Sequence, residues 1–362
     1  MYNFLYRNLL ARTDAEHSHH LALQCLQVID NVPSARAILS RLTSTNISGM
    51  AINALGLAFD HPLGVAAGFD KDAACLPGLR ALGFSYVEVG SVTPRPQPGN
   101  DGKRMIRLID DNALINRMGF PSIGALAVGR RLRSLHHYNA PIGISLGKNK
   151  ETPLQEAAND YQATLDHLYA YGDFFVINIS SPNTPNLREL QTADFLGNLL
   201  STVRQHMNTL AQGQRVKPLL IKIAADLTGE QLDHIIDLCL THHIDGIVAT
   251  NTLPGNRDQL RSPQKAFEGG LSGEPLREKS TEIIRHIHQR TQGKLCIIGV
   301  GGIFTGTDVW DKMVAGASIV QSYTGFIYRG PLFVKTALDE LRQRMDREGI
   351  QNLAEIIGTY SG

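Results

Sequence analysis

Residues 218–252 read PLLIKIAADLTGEQLDHIIDLCLTHHIDGIVATNT. A near-continuous apolar run from Pro218 to Ala224, interrupted only by Lys222, gives way to a segment in which Leu232, Ile235, Ile236 and Leu240 share one helical face. A second apolar run then starts at Asp245. Strands that alternate apolar and polar residues have one wet face, whereas runs without alternation belong to strands covered on both faces, as in a parallel sheet wrapped by helices. The stretch therefore reads as strand, helix, strand.

The same unit recurs on either side of it. PLGVAAG from Pro62, YVEVG from Tyr86, IGISLG from Ile142, FFVINIS from Phe174, LCIIGVGG from Leu295 and SIVQSY from Ser318 bring the total to eight runs. Eight such units over roughly 280 residues predict an α/β fold, a (β/α)8 TIM barrel, with an open doubly wound sheet as runner-up. No run is followed by GxGxxG, and GISLGK from Gly143 is one residue short of a P-loop.

Two stretches fall outside the repeat. After the second run, VTPRPQPGNDG leads into RMIRLIDDNALINRMGF, where Asp110 and Asp111 separate two apolar runs and predict an inserted β-hairpin above the barrel mouth. Ahead of the first run, Tyr2, Leu5, Tyr6, Leu9 and Leu10 form one apolar stripe. Leu21, Cys25, Val28 and Ile29 form a second, and Ile38, Leu39 and Leu42 a third. This gives an N-terminal α-helical extension over residues 1–45 and a barrel over 46–362. Composition favours a helical cap on the bottom of the barrel; the alternative is an amphipathic pad on lipid, with Arg7, Arg12 and Arg36 near headgroups.

Thirty-five basic residues against 34 acidic ones leave a formal charge of +1, too little to hold a polyanion, so no nucleic-acid partner is expected. No apolar stretch approaches the ~20 residues of a membrane span. Cys25, Cys75, Cys239 and Cys296 lie far apart and read as reduced thiols. The doublets His136–His137 and His242–His243 lack ligand spacing, so no metal site is expected.

Barrel enzymes place their chemistry where strands end, and these ends are polar. Asp70 and Lys71 close the first run, Asn178, Ser180, Ser181 and Asn183 follow the fourth, Lys222 closes the fifth, and Thr250, Asn251 and Thr252 close the sixth. Lysines, asparagines and hydroxyls without a His–Asp pair or paired carboxylates suit a small planar anion held by donors, not hydrolysis. The glycine turns 299–303 and 323–326 after the last two runs are where many barrels grip phosphate. The chain itself supplies no electron carrier, so redox chemistry here requires a cofactor.

In order along the chain, AAGFDKD, SVTPRPQPGN, INRMGF, NISSPNTP, ATNT, GGLSG, IIGVGGI and YTGF resemble the family 2 dihydroorotate dehydrogenases, quinone-dependent FMN enzymes of pyrimidine synthesis. The resemblance implies one FMN per chain, with its ring near Ala67, Gly68, Phe69, Asp70, Lys71, Ser91, Asn178, Lys222 and Thr250. It puts the FMN phosphate near Gly273, Gly302, Tyr323 and Thr324. It implies dihydroorotate between Lys71, Asn116, Arg117, Met118, Gly119, Phe120, Asn178, Asn183, Asn251 and Thr252. Ser181 would take the C5 proton while hydride leaves C6, relayed through water or a neighbouring hydroxyl such as Ser180 or Thr184.

Serine rather than cysteine at 181, together with the N-terminal extension, points to the membrane-associated type, in which the helices guide a quinone past His19, Arg104 and Tyr323 and touch lipid. No obligate protein partner is implied. With no Arg- and Ser-rich transit segment, the expected setting is peripheral, on the cytoplasmic face of a bacterial inner membrane. Two positions depart from the family pattern: Ser145 stands where asparagine is usual, and Asn186 where glycine is commoner, although asparagine tolerates positive φ. The competing functions are a family 1 relative passing electrons to fumarate or NAD, and a silent barrel serving as a membrane-binding module.

Overall fold

In the computed structural model every residue is described except 1–5, 7–10, 12, 136–137, 185–186, 192, 256 and 361–362; for 193 and 194 only the backbone is described. Tyr2, Leu5, Leu9, Leu10, Arg7, Arg12, His136, His137 and Asn186 thus lie outside the described residues.

The chain enters through α1 (Ala15–Asp30), capped by the Asp14 carboxylate on the N–H groups of Glu16 and His17, and α2 (Pro33–Thr43), which has proline in its first turn. A short antiparallel pair follows, β1 (Ile52–Ala54) with β2 (Leu57–Phe59), then β3 (Leu63–Val65), α3 (Leu76–Ala81) and β4 (Val87–Val92). The insertion contributes β5 (Met105–Leu108) and β6 (Ala113–Asn116). The repeat resumes with α4 (Ala125–Arg133), β7 (Ile142–Leu146), α5 (Ala157–Leu168), β8 (Phe174–Asn178), α6 (Ala193–Leu210), β9 (Leu219–Lys222), α7 (Gly229–Thr241) and β10 (Gly246–Ala249). It ends with β11 (Gly270–Gly273), α8 (Arg277–Thr291), β12 (Cys296–Val300), α9 (Gly306–Val314), β13 (Ile319–Ser322), α10 (Thr324–Arg329) and α11 (Phe333–Glu348).

Strands β3, β4, β7, β8, β9, β10, β12 and β13 pair in that order, all parallel, and β13 closes back onto β3. These are the eight runs read from the sequence. Closure needs tight packing inside. Gly64 in β3 is required because a Cβ there would collide with the Tyr86 ring, whose hydroxyl donates to the Val320 carbonyl at 3.0 Å and ties β4 to β13 across β3. In α7 the buried face is Leu232, Ile235, Ile236 and Cys239, and the expected Leu240, partly buried, packs against the same core at its edge.

The expected hairpin of β5 and β6 is present, but β11 pairs antiparallel with β6 and makes a three-stranded sheet, in the order β11, β6, β5. Ile106, Leu108, Ala113, Ile115, Leu260 and Leu271 form its own small core. The Asp111 carboxylate accepts the N–H groups of Arg261 and Ser262 at 2.8 and 3.0 Å, fixing the second segment to the hairpin turn.

The expected helical cap on the barrel bottom is overturned. Glu16 of α1 pairs with Arg104 beside β5, and the His19 ring stands edge-on to Phe69, in the loop after β3, at 5.1 Å. Both contacts belong to the mouth end. At the opposite end, β1 and β2 lead directly into β3, and Phe59 packs edge-on against Tyr86 at 5.1 Å. The helices are also continuous with the barrel: Leu26 belongs to the main core, and the Thr43 hydroxyl donates to the Ala81 carbonyl at 2.7 Å.

Candidate active site at the barrel mouth

A cavity of about 1090 Å³ opens at the C-terminal ends of the strands, beneath the inserted sheet. It is lined from the first unit by Ala67, Gly68 and Lys71, with Ser91 from β4. The loop after β6 adds Asn116, Met118, Gly119 and Phe120; β8 and its loop add Asn178, Ser181 and Asn183. Lys222, Thr250, Asn251 and Thr252 complete one side, and Gly273, Gly302, Tyr323 and Thr324 the other.

Three expected residues stand off this wall. Phe69 faces backwards into a cluster with His19, Tyr323 and Phe326. Asp70 spends its carboxylate on the N–H groups of Ala74 and Cys75, at 2.8 and 2.9 Å, and so shapes the turn into α3. Arg117 points outward, its guanidinium 3.5 Å from the Asp101 carbonyl, because neighbours in an extended loop face opposite ways.

The 116–120 loop is held from behind. Gln97 donates to the carbonyls of Gly119 and Phe120 at 3.2 and 2.8 Å, while Asn100 donates to those of Arg117 and Asn183 at 3.0 Å each. Asn183 in turn donates to the Asn116 carbonyl at 3.0 Å, so the two loops that carry amides into the cavity are latched together. The Pro-rich stretch before β5 supplies this scaffold.

Lys71 and Lys222 bring the positive charge. Burial pushes the Lys71 amine down to about 8, against the pull of Asp72 and Glu16. Lys222, 5% exposed, has no ion or hydrogen-bond partner among the described residues. Two cations held this way, facing a ring of amides, await an anionic or electron-rich ligand.

Ser181 is buried on the wall, and its Oγ accepts the Asn183 N–H at 3.3 Å; among the described residues neither histidine nor carboxylate joins it. Three residues on, the Thr184 hydroxyl is buried without a hydrogen-bond partner among the described residues. At the far rim, Ser272 and Thr324 hydroxyls meet at 2.9 Å, joining β11 to α10. A Cβ on Gly325 there would run into the Ile303 carbonyl, so the chain needs glycine to bring its backbone this close.

Of the three residues expected at a quinone, Tyr323 lines the cavity, and His19 lies one aromatic layer behind it, across Phe69. Burial, with Lys71 adding to it, pushes His19 down to about 3, so its imidazole is neutral. Arg104 is held by Glu16 and stands off the cavity wall. Sequence reasoning missed Met105, Leu114 and Ser272, whose placement depends on the inserted sheet folding over the mouth, and Gln321 and Ser322, which the strand-end rule could have found.

A family model described as dihydroorotate dehydrogenase matches residues 50–345. The dihydroorotate dehydrogenase (quinone) of Anaeromyxobacter dehalogenans is 45% identical over 354 residues, covering 97% of this chain and 95% of its own. That of Gloeobacter violaceus is 46% identical over 354 residues, covering 98% of each. Among solved structures, the Eimeria tenella DHODH in complex with ferulenol superposes with a TM-score of 0.87 at 33% identity, covering 99% of this chain and 98% of its own.

Proposed function

This chain belongs to the dihydroorotate dehydrogenase family, and on that premise we propose that it oxidises dihydroorotate to orotate in pyrimidine synthesis, using FMN in the mouth cavity and a membrane quinone as final acceptor. Held there by Lys222, the strand-end amides and the glycine rim, FMN would supply the two-electron acceptor chemistry that no side chain of the chain provides. The fit rests on the residues themselves: a buried Lys222 with no partner among the described residues, a wall of amides and hydroxyls, and a rim at Gly273, Gly302 and Thr324 whose glycines bring the backbone so close to Asn112 and Arg277 that a Cβ would collide.

The chain's own work is binding, orientation and proton removal. Lys71 holds the substrate carboxylate, and Asn116, Asn178, Asn183 and Asn251 satisfy the edges of the pyrimidine. Ser181 Oγ takes the C5 proton while its own hydroxyl proton leaves through water. A hydroxyl is a weak base, so the step depends on substrate and serine being held in register, which is what the latched loops accomplish.

Leu21, Val28, Val32, Ile38 and Leu42 are exposed on α1, α2 and the turn between them, although no helix among the described residues is long and apolar enough to cross a membrane. We assign this face to lipid contact, with the quinone entering toward His19, Phe69 and Tyr323, and Arg104 near its path. The enzyme then works as a peripheral protein on the cytoplasmic face of a bacterial inner membrane.

The observation that carries the reading is the convergence of Lys71, Ser181, Lys222 and the amides on one cavity in a chain matched along nearly its whole length. Anaerobic titration tests it. Dihydroorotate bleaches the bound flavin in stoichiometric amount; a flavin that stays oxidised refutes the substrate.

A further inference from the structure

We propose that Ser145 is a positioning residue that fixes the polarity of the cavity wall through Ser91, an inference that rests on FMN occupying this cavity. The argument starts at Asn178. The Ser180 backbone N–H lies 3.3 Å from Asn178 Oδ1, and a backbone N–H can only donate, so the amide oxygen faces Ser180. The Nδ2 group therefore faces the other way and donates to Ser91 Oγ at 2.9 Å. One lone pair of Ser91 is thereby taken.

Ser145 Oγ lies 2.8 Å from Ser91 Oγ. Its side chain is 0% exposed and sits behind the cavity wall, with Ser91 as its hydrogen-bond partner and no other among the described residues. Were Ser91 the donor, the Ser145 proton would be stranded in a dry interior without an acceptor. Both hydroxyls are satisfied only when Ser145 donates. Ser91 then accepts twice, and its own proton has the cavity as its outlet, since Ser91 lines it. The wall at this point is a donor, polarised by the two bonds it accepts, and it matches a ring atom with a free lone pair rather than an N–H.

A double-mutant cycle on FMN affinity and on the flavin absorption band reads this directly. Ser145→Ala is expected to weaken FMN binding on the order of 3-fold and to shift the band, because Ser91 loses the bond that orients its proton. In a Ser91→Ala background the same change has no further effect on either readout, and Ser145→Thr, which keeps the hydroxyl, restores both. Equal effects in the two backgrounds, or no effect of Ser145→Ala in either, overturn the inference; a merely structural Ser145 would lower the melting temperature and leave the band in place. Unsubstituted protein that takes up no FMN overturns the cofactor assignment and this inference with it, a result distinct from absent coupling in a yellow protein.

Discussion

Lys71 should make orotate affinity fall as pH rises, and the structure sets where. Burial holds its amine at about 8 instead of the ordinary 10.5, with Asp72, Glu16 and Asp70 pulling it up and Arg104 pushing it down. That difference corresponds to ~3 kcal/mol of desolvation carried by the charged form. Only the protonated amine can meet a carboxylate. At pH 9 about one molecule in eleven carries the proton, so apparent affinity drops about tenfold from its value at pH 6 to 7. Fold stability moves in the opposite direction. Because the folded amine titrates below the unfolded one, the protein gains stability between about 8 and 10.5, just where it loses its ligand. Titrating orotate against flavin absorbance from pH 6 to 9 gives the profile, and Lys71→Gln flattens it. A profile already flat in the unsubstituted protein, or a slope that survives in Lys71→Gln, refutes the assignment of Lys71 to the carboxylate.

Ser181→Ala should slow flavin reduction by dihydroorotate by about 10²- to 10⁴-fold with FMN retained, as stopped-flow absorbance will report; an unchanged rate removes Ser181 from the base position. For the lipid face, charge placed at Val28, Ile38 and Leu42 should lower co-sedimentation with vesicles and quinone turnover while sparing flavin reduction. These positions are 65%, 59% and 63% exposed, so the fold tolerates the change, whereas truncating residues 1–45 would strip Leu26 from the main core. Equal loss of both activities would argue against a membrane role for the helices.

The barrel was legible because each strand is predominantly apolar without alternation and each connecting helix keeps one apolar face, so local pattern and global arrangement agree. Strand β11 was hidden: Gly-Leu-Ser-Gly has no strand signature, and its partner Ala113–Asn116 lies more than 150 residues earlier. The helices on residues 15–43 were visible as helices, but an apolar stripe does not say which end of a barrel it covers; Arg104 and Phe69 decide that. Motif strings marked the segments around the cavity without resolving which members face inward, and Phe69, Asp70 and Arg117, expected at ligands, stand off the cavity wall. Ser145 stood out as a departure from the family pattern, yet its meaning depends on Ser91, 54 positions away.

The late origin of the third strand in the mouth sheet has a consequence for biosynthesis. Residues 270–273 are synthesised more than 150 residues after Ala113–Asn116, and until then Ile106 and Ile115 lack the cover that Leu271 provides. Closure of the cylinder waits longer still, for residues 319–322 to meet 63–65. Until those pairings form, the polypeptide has no finished pocket, so a group bound there is acquired only after residues 319–322 have joined the barrel.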